Sequence, residues 1–134
     1  MATDVGFCAR LNLPYDYAIQ KTTEALKAEG FGVLSQIDMQ ATLKQKLNAD
    51  FRRYVILGAC NPPLAFRALS ASLDVGLLLP CNVTVYEEGE GSVVTAVDPV
   101  EMLGALKGDS AVQEVAVEAR ARLQRVIASL QHPG

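Results

Sequence analysis

The chain has one histidine among 134 residues, His132, and it sits in the terminal Gln131-His132-Pro133-Gly134 tail. A Cys-His catalytic dyad and a histidine-rich metal site are therefore not expected. There is no Cys-x-x-Cys pair, no complete phosphate-binding loop and no Gly-x-Gly-x-x-Gly fingerprint, so the motifs of dithiol redox enzymes and nucleotide-binding folds are missing. Positive charge is scarce as well: the net charge of -3 provides no field for neutralising phosphates, and no nucleic-acid partner is expected. No apolar run reaches transmembrane length, and Met1 to Phe7 lacks a basic stretch leading into an apolar one. The expectation is a cytoplasmic chain with no membrane partner. Three cysteines are an odd count, which suits reduced thiols better than a disulfide framework.

What is present fits a packed domain. Half of the residues are hydrophobic and 20% are charged, too apolar for disorder and ordinary for a globular chain. At this length roughly two-thirds of the unfolded surface is buried on folding. No repeat, linker or low-complexity tract divides residues 1–134, so a single domain is expected.

Alternation puts Val5, Phe7, Ala9 and Leu11 on one face of a first strand, with Cys8 on the other. Pro14 suits a helix start, and Ile19, Leu26 and Gly30 predict a helix over Tyr15 to Glu29. Gly32 to Ile37 reads as a second strand, and Asp38 then caps a short helix carrying Met39, Leu43 and Leu47. Arg52 to Cys60, with its unbroken Tyr54-Val55-Ile56-Leu57 run, reads as a central strand. Asn61-Pro62-Pro63 starts a helix whose buried face is Leu64, Ala65, Ala68, Leu69 and Leu73. Leu77 to Glu87 reads as extended, turning at Glu88-Gly89-Glu90-Gly91 into a strand over Ser92 to Val97. Asp98-Pro99 caps a short helix that breaks near Lys107-Gly108. Val112, Val115, Ala116, Ala119, Leu123, Val126, Ile127 and Leu130 mark a long amphipathic final helix.

The order β-α-β, short α, β-α-β-β-α-α predicts an α+β sandwich. About five strands, mostly antiparallel or mixed, are covered by helices, with local similarity to a ferredoxin-like split β-α-β. A sheet face left apolar by such an arrangement would be shielded by dimerisation, so a homodimer is expected.

Two Cys-Asn dipeptides stand beside proline at the edges of apolar runs. Cys60-Asn61 leads into a proline-started helix, whose positive end favours a thiolate, whereas burial opposes it. Cys81 shares a register with Leu77, Leu79, Val83 and Val85, which places its thiol on the apolar face unless Pro80 disturbs the strand. Asn61 reads foremost as a helix cap, while Asn82 has no helix after it and could serve a turn, a sheet edge or a ligand. Asp38 is a cap, and Lys44 and Lys46 are ordinary helix charges or an anion patch. Tyr54, beside Arg52 and Arg53, offers a ring and a hydroxyl to a pocket. Two cysteines supply half of a four-coordinate zinc site, so no metal site is expected in one chain.

Gly30-Phe31-Gly32-Val33-Leu34, Ile37-Asp38, Thr42-Leu43-Lys44, Tyr54 through Pro62, Leu78-Leu79-Pro80-Cys81-Asn82-Val83 and Asp98-Pro99 together resemble the domain-of-unknown-function family numbered 302 (DUF 302) over nearly the whole chain. The resemblance implies a small, usually dimeric α+β domain without an assigned activity. It directs attention to Asp38, Lys44, Cys60, Asn61, Cys81 and Asn82 and transfers no catalytic role or cofactor to any of them.

The leading functional expectation is a cytoplasmic homodimer, a binding or accessory protein that holds a small molecule near the Cys-Asn segments. In that reading the amides of Asn61 and Asn82 orient polar groups and the helix start favours an anion. The first alternative is a thiol-dependent redox or sulfur-transfer enzyme, with Cys60 as nucleophile and Cys81 as resolving thiol. The second is a purely structural interaction module.

Overall fold

A computed structural model describes residues 1–106 and 108–131. His132 and Lys107, on which two of the sequence expectations fall, lie outside the described residues. Five strands, β1 Gly6–Leu11, β2 Gly32–Asp38, β3 Tyr54–Cys60, β4 Cys81–Glu88 and β5 Gly91–Val97, form one sheet in the order β1-β5-β4-β3-β2. Every neighbouring pair is antiparallel. The two edge strands β1 and β2 therefore run parallel to each other. Helix α1, Tyr15–Ala28, carries the chain from one edge to the other, a split β-α-β unit with three strands inserted.

The register sorts side chains onto two faces. Phe7, Ala96, Val83 and Leu57 form one row, and Ala9, Val94, Val85 and Val55 the next; all of these belong to the hydrophobic core. Helices α1, α3 (Pro62–Ala71) and α5 (Ser110–Gln131) pack together, and α1 and α5 contact the sheet. The buried residues of α5 are the eight of the predicted stripe, from Val112 to Leu130. The opposite sheet face carries the row Ile37, Ile56, Thr84, Thr95 and Cys8. A neighbouring row holds Tyr54, Tyr86, Val93 and Arg10, in which the two tyrosine rings stack at 5.3 Å.

Local signals explain the boundaries. Glu29 ends α1, and Gly30 takes φ +85, a left-handed position where a side chain would also press on Asn61. Asp38 accepts Ala41 N–H at 2.9 Å to start α2, Met39–Leu47. Asp98 does the same for Val100 at α4, Pro99–Met102.

Four details differ from the sequence reading; the first is Leu73, expected on the buried face of α3, which follows that helix and is exposed. Val5 precedes β1 and is exposed rather than on the core face. Cys8 does lie off the core face, yet it is buried, with the Met1 ammonium donating to its carbonyl at 3.1 Å. The expected extended segment from Leu77 instead begins as a 3-10 stretch, Leu73–Leu78, followed by a cis Leu79–Pro80 bond. Ladder pairing opens only at Cys81, because Pro80 has no N–H to donate.

Candidate functional site

A cavity of about 370 Å³ opens where β3 ends, β4 begins, and α3 leans on α5. Ala59 and Cys81 are register partners, so the two Cys-Asn dipeptides arrive at the same end of neighbouring strands. Cys60 and Cys81 both line the cavity, with Phe31, Leu64, Ala68 and Leu103. Small side chains make the space: Ala65 and Ala68 from α3 face Ala119 and Val115 from α5. Outside the cavity, Arg67 of α3 donates to Glu118 of α5 at 3.1 Å. This bond, more than the neighbouring Arg122, holds the Glu118 carboxyl below its ordinary range.

Asn61 uses both ends of its amide to hold the backbone. Its Oδ1 accepts the Leu64 N–H at 3.3 Å, and its Nδ2 donates to the Glu29 carbonyl at 3.3 Å. Arg122 donates to the same carbonyl at 3.0 Å. One asparagine thus caps α3 and fastens it to the end of α1. The start of α3 offers little to an anion: Pro62 and Pro63 have no N–H, Leu64 gives its own to Asn61, and Ala65 bonds the Asn61 carbonyl at 2.9 Å.

The thiols are free and uncharged at neutral pH. Burial raises Cys60 above its ordinary pKa, and burial together with the nearby Cys60 thiol pushes Cys81 up to about 11. Desolvation outweighs any pull from the α3 terminus toward the thiolate.

The other expected site residues lie elsewhere. Asn82 is exposed, paired in register with Gly58, and is not part of the cavity wall. Asp38 caps α2, and Lys44 pairs with Asp50 at 3.0 Å. Tyr54 stands on the opposite sheet face, between Phe51 and Tyr86. Sequence reading missed the α5 wall, because Val115 and Ala119 carry only the signal of a packed helix stripe. Among the described residues no cluster of three or more His, Cys, Asp or Glu side chains could hold a metal ion. No described helix is long and apolar enough to cross a membrane.

The family model described as "Domain of unknown function DUF302" matches residues 7–130. The chain belongs to the DUF302 family. A crystal structure of an uncharacterized conserved DUF302 protein from Bacillus stearothermophilus is similar, at a TM-score of 0.85 and 32% identity. The match covers 96% of this chain and 99% of that one. No curated protein matches this DUF302 chain. The relatives thus support the α+β fold and leave the chemistry to be argued from the site.

Proposed function

We propose that this DUF302 chain is a homodimeric binding or accessory protein that holds a small apolar molecule in the cavity between α3, α5 and the β3–β4 strand ends. The observation that carries the reading is the cavity itself. At about 370 Å³ it falls in the range of small-molecule sites, and its wall is almost wholly aliphatic and aromatic. Apolar wall left facing water is unfavourable, and a ligand that covers it releases that water. Thiol enzymology is less well supported, since both candidate thiols are held protonated rather than activated. Three unpaired cysteines suit a reducing cytoplasm.

The second copy is assigned to the sheet face opposite the helices. Ile37 is 47% exposed there beside Ile56, and the row continues across all five strands. An isologous pairing of this face would shield it from water.

The ligand reading is tested by titrating the protein with N-phenyl-1-naphthylamine, a neutral dye that brightens in apolar surroundings. Saturable binding is expected, weakened in Ala65→Leu and Ala68→Leu, which fill the cavity from α3. Circular dichroism confirms that each variant is folded. A dye signal that never saturates, or equal affinity in folded variants, would contradict the reading.

A further inference from the structure

We infer, building on that binding reading, that the cavity selects an uncharged ligand and discriminates against carboxylates and phosphates. Among the described residues, no lysine, arginine, histidine, aspartate or glutamate lines it. An anion seated there would lose its hydration and gain no counter-charge, a cost far larger than that of burying a hydroxyl.

The usual rescue is closed as well. A helix start can hold an anion through free N–H groups, and the start of α3 lies in the cavity wall. Its first two residues are prolines, its third gives its N–H to Asn61 Oδ1, and its fourth bonds the Asn61 carbonyl. Of the two N–H groups of the Asn61 amide, one is committed to the Glu29 carbonyl. Among the described residues, the nearby cations are already paired: Arg67 bonds Glu118, Arg122 bonds the Glu29 carbonyl and Glu118, and Arg125 bonds Glu29.

What remains to meet a polar group is weak and neutral. The wall offers the Cys60 and Cys81 thiols and the Ser35 hydroxyl. Thiols and hydroxyls can donate to a carbonyl or an alcohol oxygen without leaving a buried charge uncompensated. The ligand class that fits is an apolar body bearing one neutral oxygen: an alcohol, a ketone or an ester.

The test is displacement of N-phenyl-1-naphthylamine by 1-decanol and by decanoate, each below its aggregation concentration, at about pH 8 where a carboxylic acid is ionised. The alcohol is expected to compete at a concentration lower by about tenfold or more, since discrimination of about 1.4 kcal/mol already gives that factor. Decanoate equal to or better than the alcohol, or failure of both to displace a bound dye, overturns the inference and leaves the binding reading standing. A dye that does not bind at all overturns both.

Discussion

Asn61 and Glu29 join two helices at one point: the Asn61 amide donates to the Glu29 carbonyl at 3.3 Å while its oxygen caps α3. Asn61→Ala removes both bonds and leaves the Leu64 N–H without its partner, while Arg122 still donates to the Glu29 carbonyl, and is expected to cost about 1–3 kcal/mol. Asn61→Asp keeps the capping oxygen but sets a carboxylate against the Glu29 carbonyl, so it should not restore the wild-type midpoint. Urea denaturation monitored by circular dichroism measures both, and an unchanged midpoint in Asn61→Ala would show that the clamp carries no stability.

Cys81 gives a pH dependence with a defined sign. Its folded pKa, about 11, lies above the ordinary 9.0 of an unfolded chain. The unfolded state therefore loses the thiol proton first as pH rises. The contribution is fully present below pH 9.0 and is lost as pH climbs to about 11. A shift of that size corresponds to roughly 2–3 kcal/mol. Chemical denaturation across this window should show a steeper decline in wild type than in Cys81→Ala. Parallel declines would place the titration elsewhere, with the raised Tyr15 and Tyr86 phenols as the next candidates.

Gly58 is a packing requirement at the cavity's outer edge. A Cβ there would collide with the Ser35 hydroxyl and would lie 2.8 Å from the Pro80 ring. Gly58→Ala should destabilise the protein by about 1–3 kcal/mol through overpacking. It should also weaken dye binding, because Ser35 and Pro80 both line the cavity. Thermal unfolding and dye titration read the two effects separately.

The homodimer assignment depends on the open sheet face. Ile37→Lys with Ile56→Lys places two charges in the central row, and sedimentation of the pair is expected to show a monomer where wild type sediments as a dimer. A monomeric wild type, or an undisturbed dimer in the folded double variant, would remove this face as the interface.

The fold was readable because its signals are local. Alternation marks Phe7, Ala9 and Leu11, four asparagine or aspartate caps stand before helices, and α5 repeats its apolar residues at helical spacing. The DUF302 resemblance covered the same elements. The 3-10 stretch before Pro80 escaped because Leu77, Leu78 and Leu79 look extended by composition, while proline decides where the ladder begins. Both cysteines line the cavity, a meeting that their spacing in the sequence left open. Asn82 does not, because the two-residue period of β4 turns it away from the face of Cys81, and Tyr54 does not, because it stands at the opposite end of β3 from Cys60. Anion affinity at α3 also looked plausible from one strand of sequence. The long-range bond from Asn61 to Glu29, which engages one N–H of that amide, is visible only in the structure.

The most direct test of the binding reading is an amide NMR titration with 1-decanol. Saturable shifts should concentrate at Phe31, Ala59 to Asn61, Leu64 to Leu69 and Val115 to Ala119, the residues around the cavity. Shifts centred on Tyr54, Tyr86 and Ile56 instead, or none that saturate, would contradict it.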